Sequence, residues 1–186
     1  MTPSKWKFLI GMRIFFSFLF ILFFFVGKIY GQFVIPGEGI MDVKIGADWD
    51  EVEWELGFKG EKVDKADVDP ELTFIANAAR VDFDFVVKYQ HLMWLPVSEL
   101  FFKDDKICMI QLSSYPEYYK MFCADIGTVE GLNFWDNPSS VNEVYGNHEN
   151  VKNGGKSYVL ISDKGLGIQI FESEVRTMFI FQPQMK

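Results

Sequence analysis

Histidine and cysteine are scarce, with two of each in 186 residues. Two cysteines exclude a disulfide-dense scaffold and a four-thiolate zinc site. Neither His91 nor His148 has a second His or Cys at ligand spacing, so no zinc site is expected. Basic residues are also few, 18 Lys and Arg against 26 Asp and Glu, a net charge of −8. That balance argues against nucleic acid, whose phosphates demand clustered cations. No Gly-x-Ser-x-Gly elbow or comparable nucleophile motif occurs, so the chain is expected not to be an enzyme and to need no cofactor. What is abundant is apolar and aromatic. Hydrophobic residues make up 49% of the chain, and 5 Trp, 7 Tyr and 20 Phe make it 17% aromatic. This content excludes a wholly disordered chain and supplies a sizeable core.

The first acidic residue is Glu38, and Lys5, Lys7 and Arg13 form a positive N-region. From Ile14 to Val26 the 13 residues are apolar apart from Ser17. That length fits the apolar core of a signal peptide, with Gly31 before the cut and Gln32 as the mature start. The rival reading is an uncleaved hydrophobic helix, Phe8 to Gly27, with Arg13 snorkelling to the headgroups. Both readings put the C-terminal bulk outside the cytoplasm, in the periplasm or cell envelope, because the positive charge lies N-terminal. Four of the 18 basic residues and none of the 26 acidic ones fall in residues 1–31, so residues 32–186 carry a net −12. Those same 31 residues hold 10 of the 32 aromatic rings.

An internal repeat is legible downstream. Ile40 to Gly57 aligns with Val129 to Gly146 at an offset of 89, pairing Val43 with Leu132, Ile45 with Phe134, Asp48 with Asn137, Val52 with Val141 and Leu56 with Tyr145. Each copy reads as a short strand and a short helix. Asp48 and Asn137 suit N-caps, Pro138 suits the first helical position, and Gly57 and Gly146 suit the left-handed stop. Leu100–Leu112 and Ile168–Ile180 then read as hairpins at an offset of 68, turning at Asp104-Asp105 and Glu172-Ser173. The first copy holds 21 extra residues, placed within about 60–95. The expected fold class is α+β: two copies of a short helix packed on an antiparallel sheet, in residues 32–121 and 122–186, preceded by the N-terminal hydrophobic helix or signal peptide of residues 1–31. The two sheets are either separate or run together into one curved surface.

The stretch Gly39-Ile-Met-Asp-Val-Lys-Ile-Gly-Ala-Asp-Trp-Asp-Glu-Val, then Leu56-Gly57 and an apolar hairpin, resembles the small repeat of beta-lactamase-inhibitor-protein-like domains and of SmpA/OmlA-type envelope lipoproteins. The second copy departs from it, with Trp135 where the first has Gly46, and the lipoprotein cysteine is absent. The resemblance implies a non-enzymatic protein that binds another protein, either inhibiting an enzyme or supporting an assembly; inhibition or immunity against a toxin or enzyme is the most concrete form expected of this chain.

Several residues are candidates for contact with such a partner. The helix after Asp48 carries Asp50, Glu51, Glu53 and Glu55 with no basic residue, and Trp54 falls off the face set by Trp49, Val52 and Leu56. A Trp among carboxylates suits a basic protein surface; the competing account tucks Trp54 under the inserted segment. Tyr115, Tyr118 and Tyr119 follow the first hairpin, where rings with hydroxyls suit recognition or merely pack the two copies together. Cys108 and Cys123 are candidates for a disulfide worth roughly 3 kcal/mol in an exported chain, or for two buried thiols. Asp64, Asp67, Asp69 and Glu71 supply hard oxygen ligands, but without EF-hand spacing they read as a solvated acidic loop.

Overall fold

The computed structural model describes residues 33–56, 59–89, 96–114 and 126–184, without the side chains of Glu55 and Leu56. The N-terminal hydrophobic segment, Gly57, His91, Tyr115, Tyr118, Tyr119 and Cys123 lie outside the described residues. The chain runs β1 (Phe33–Ile35), β2 (Gly39–Ile40), β3 (Val43–Lys44), α1 (Trp49–Leu56), β4 (Glu61–Asp64), a 3₁₀ turn (Lys65–Asp67), α2 (Pro70–Ala78), β5 (Phe85–Lys88), β6 (Val97–Lys103) and β7 (Lys106–Ser113). It continues with β8 (Gly127–Thr128), α3 (Pro138–Tyr145), β9 (Glu149–Asn153), β10 (Lys156–Ile161), β11 (Leu166–Phe171) and β12 (Glu174–Phe181).

The expected α+β class is overturned. The described residues form twelve strands in two sheets, one of eight strands and one of four, and only three short α-helices. The physical reason lies in the lead-in segments. Phe33–Lys44 folds into three short strands that pair with one another and with β8, building a second sheet where the sequence suggested a single strand per helix. Helices of eight or nine residues bury one face each but do not make a layer. Among the described residues no helix is long and apolar enough to cross a membrane.

The large sheet is antiparallel throughout, in the order β4-β5-β6-β7-β12-β11-β10-β9. Its two halves correspond strand for strand and meet where β7 pairs with β12. Gln111 and Phe179, equivalent at the offset of 68, face each other in that pair, so a pseudo-twofold axis passes between them. Both inner hairpins turn through two left-handed residues, Asp104 and Asp105 (φ 51° and 59°) and Glu172 and Ser173 (φ 51° and 63°). Such turns match the twist of the flanking strands. Each hairpin then carries a bulge at the same place. The register steps from Phe101↔Met109 to Phe102↔Ile107, leaving Cys108 extra, and from Gln169↔Thr177 to Ile170↔Val175, leaving Arg176 extra. A bulge adds one residue and so changes which face the following side chains meet.

The same correspondence reaches the helix entries. The Gly46 N–H donates to the Ile107 carbonyl at 2.7 Å, and the Trp135 N–H donates to the Val175 carbonyl at 2.8 Å. Gly46 and Trp135 share the left-handed conformation, at φ 86° and 65°. A residue with a Cβ pays about 1–2 kcal/mol there, and Trp135 offsets the strain by packing its ring against the core beside Phe134, at 5.9 Å. Gly46 has open space around a built Cβ. Gly46→Ala is therefore expected to lose about 1 kcal/mol through backbone strain alone. Thermal unfolding of the variant checks this, with a fall of about 2–4 °C.

Both faces of the large sheet are covered. On one, Val52 of α1, Val141 of α3 and Val34, Ile40, Leu132 and Phe134 around the small sheet pack on Leu100, Phe102, Ile110, Leu112, Ile168 and Ile180. On the other, Leu72, Ile75 and Ala76 of α2 pack on Val86, Phe101, Met109, Tyr158 and Phe179. Helix α2 is the main part of the first copy's extra chain: it lies between Val63 and Val86, whose equivalents Val151 and Tyr158 are joined by a tight hairpin. That hairpin turns on Gly154 and Gly155, at φ 56° and 87°.

The helix starts fall where the sequence places them. Asn137 accepts from the Ser139 N–H at 2.9 Å, with Pro138 opening α3. Asp48 stands directly before α1, its carbonyl accepting from the Val52 N–H at 3.3 Å, while its carboxylate takes the Lys106 ammonium at 3.1 Å and its backbone bridges to β7.

Candidate protein-binding surface

Helix α1 is held to the sheet by its first residue. Trp49 packs 5.3 Å from Phe85 and 5.9 Å from Phe102, and those two phenyl rings stack at 5.0 Å and 8°. The Lys62 ammonium sits 3.8 Å from the centroid of Phe85 and 5.2 Å from that of Trp49, a cation over aromatic faces. Val52, at 1% exposure, completes the buried stripe. Positions 49, 52 and 56 share a helical face, so position 54 points away from it.

Trp54 accordingly stands out in solvent, 88% exposed. Asp50 and Glu51 are exposed in the same helix, and Glu53 is partly buried. Of the predicted contact residues, the structure therefore brings together Trp54 and Glu51. Glu55 belongs to the helix, but its side chain lies outside the described residues, as do Tyr115, Tyr118 and Tyr119. Glu53 acts inward instead: the Tyr89 phenol is pushed up from its ordinary pKa first by burial and then by the Glu53 charge.

The acidic run at 64–71 has a structural use. Asp69 caps α2, accepting from the Glu71 N–H at 2.7 Å, with Pro70 as the first helical residue. Glu71 accepts hydrogen bonds from Tyr158, from Lys156 and, at 2.9 Å, from Gln169. Gln169 accepts in turn from the Thr177 hydroxyl at 2.9 Å. Tyr158, Gln169 and Thr177 occupy the positions equivalent to Val86, Phe101 and Met109 of the first copy. The pseudo-symmetric sheet is thus apolar under one part of α2 and polar under its first turn. Burial raises the Glu71 pKa, but the hydrogen bonds from Lys156 and Tyr158 and the Lys156 charge outweigh it and hold the carboxyl below its ordinary value.

Cys108 carries a free thiol that donates to the Phe101 carbonyl at 3.3 Å. Burial pushes its pKa up to about 12, so it is protonated and unreactive at neutral pH. It lines a cleft of about 430 Å³ with Arg80, Lys103, Lys106 and Gln184. The cleft's lysines are committed. Lys103 bridges Asp82 and Asp84 at 3.0 and 2.8 Å, and Lys65 reaches Asp82 at 2.7 Å. Hydrogen bonds from Lys65 and Lys103 hold Asp82 down to about 2. His148 contacts the Gly146 carbonyl through Nδ1 at 2.9 Å. No group of three or more His, Cys, Asp or Glu side chains with metal-holding geometry occurs among the described residues.

Exposed apolar residues recur on the small sheet. Phe33 and Ile35 point outward from β1, and Val129 follows β8 beside them, its N–H donating to Val34 at 3.0 Å.

No family model, curated protein or solved structure matches the chain.

Proposed function

We propose that the chain is an exported, non-enzymatic protein-binding module of the cell envelope that presents α1 to a basic partner, with inhibition or immunity as its most concrete form. One observation carries this reading: Trp54 is 88% exposed on a helix that bears carboxylates and no basic residue. A Trp side chain covers about 150–250 Å² and is among the residues most often dominant at interfaces. In a chain whose residues 32–186 carry net −12, the surrounding carboxylates steer a cationic surface toward it. The resemblance of the Gly39–Gly57 segment to inhibitor-type repeats points the same way.

Trp54→Ala is expected to leave stability within about 0.5 kcal/mol and to weaken partner binding by about 2 kcal/mol, or roughly thirtyfold. Paired thermal unfolding and affinity measurements on the variant decide it. A loss of several degrees in Tm would place the indole in a packing role.

A second reading is a membrane-anchored structural or assembly subunit held through residues 8–27. Its support is the outward pair Phe33 and Ile35, at 54% and 40% exposure, which follows that apolar run in sequence, with Val129, at 53%, beside them. Mass analysis of the protein from its native cells separates the two. A mature start at Gln32 removes the anchor.

A further inference from the structure

The small sheet has a buried face and an open one. Val34 and Ile40 turn into the core, and Thr128, level with Val34 in the parallel β1–β8 pairing, is buried as well. Side chains alternate along a strand, so Phe33 and Ile35 point the other way. Val129 is next in the register, level with Ile35, and its N–H donates to the Val34 carbonyl at 3.0 Å. All three side chains are exposed. Gly39, opposite Ile35, and Gly127, opposite Phe33, bring no side chain to that face. Lys44, opposite Gly39, is exposed at its rim. Glu38 and Glu130 are the exposed carboxylates next to these strands, and Glu130 accepts from the Tyr145 hydroxyl at 3.2 Å.

The place of this face in the chain says what covers it. Six residues, 27–32, separate the end of the apolar run at Val26 from Phe33. A chain reaches at most about 3.3–3.6 Å per residue, so an anchored chain holds Phe33 within about 25 Å of the bilayer core. Lys28 and Tyr30, within those six residues, are of the types that sit at the level of the headgroups. Three apolar side chains are few for capture from solution, but a short tether makes the contact intramolecular. With net −12 in residues 32–186, attraction to anionic lipid is not available, so the contact is an apolar one.

We infer that the outward face of Phe33, Ile35 and Val129 lies on the lipid surface, its three side chains buried at the boundary between headgroups and acyl chains. The contact rests on the anchored reading and deepens it, since it fixes which side of the exported part meets the bilayer. A chain released at Gln32 has no tether to hold the face there.

The test is photo-cross-linking of the full chain in phosphatidylcholine vesicles, with p-benzoylphenylalanine in place of Phe33, of Val129 or, as the control, of Asn77. Asn77 is exposed on α2, which covers the opposite face of the large sheet. Flotation with the vesicles reports anchoring, and the mass of the adduct reports what covers the face. The chain is expected to float, with phospholipid adducts from positions 33 and 129 and none from position 77. Ile35→Glu, at an exposed position, is expected to lower the adduct yield from position 129 about tenfold. A floating chain without lipid adducts at 33 and 129, with a protein adduct in their place, with an equal lipid yield from position 77, or with a yield indifferent to Ile35→Glu overturns the contact and leaves the anchored reading standing. A chain that does not float overturns both.

Discussion

Phe102→Ala is expected to lower the unfolding free energy by about 3–5 kcal/mol, a large part of the roughly 5–15 kcal/mol that holds a domain folded. The ring is fully buried, stacks on Phe85 and forms part of the surface on which Trp49 rests. Its loss removes apolar contact from β6, β5 and α1 together, and the cavity closes only if those elements shift. Denaturant unfolding of the variant measures the loss, and a change under about 1 kcal/mol would mean that the site collapses without strain. The consequence extends to function. Trp54 is presented by α1, and α1 is anchored through Trp49, so the variant is expected to lose partner binding even though Phe102 is out of reach of any partner.

Glu71→Ala is the second large effect. The substitution leaves the hydroxyl of Tyr158, a residue at 1% exposure, without its acceptor, removes one of the two acceptors of the Gln169 amide, which keeps the Tyr158 oxygen at 3.2 Å, and frees Lys156 from its ion pair. Hydrogen bonds to a charged group contribute about 1.5–3 kcal/mol, and a buried donor left unmatched costs about 1–3 kcal/mol. A loss of about 2–3 kcal/mol, or about 4–12 °C in Tm, is expected. The pH dependence has a definite sign. Because the folded-state pKa of Glu71 is lowered, its contribution is present above the ordinary carboxylate range. It is lost as the pH falls through the lowered folded value. Glu71→Gln is expected to be less stable than the parent at neutral pH and to lose less stability on acidification. Parallel pH profiles of the two proteins that decline together would contradict that assignment.

The two effects come from different levels of organisation, and only one is legible in the residues. The hairpins at Asp104-Asp105 and Glu172-Ser173, the helix over Trp49–Leu56 and the cap at Asn137 follow from turn chemistry and apolar period, which are local. The Glu71 network is not local. Glu71 meets Tyr158 and Gln169 from nearly a hundred residues away, and the sequence shows only an acidic stretch followed by ordinary strand positions. The one available signal is the mismatch between copies, Tyr158, Gln169 and Thr177 against Val86, Phe101 and Met109. It becomes visible only once the bulges fix the register.

The second sheet is illegible in the sequence for a related reason. Strands of two or three residues, such as β2, β3 and β8, carry too few alternations to show a period of two, yet they build the second sheet. Trp135 is a further case. A tryptophan in the left-handed region contradicts local preference, and only its equivalence to Gly46 and the packing of its ring account for it. Trp54 lay at the opposite extreme, since its place off the apolar stripe follows from helical spacing alone.

Site-specific photo-cross-linking from position 54, in the full chain produced in its native cells, tests the central claim most directly. The account predicts a discrete protein adduct whose yield falls about tenfold or more when Glu51→Lys reverses a neighbouring charge. A folded chain that gives no adduct from position 54, or one whose adduct is indifferent to that reversal, would contradict it.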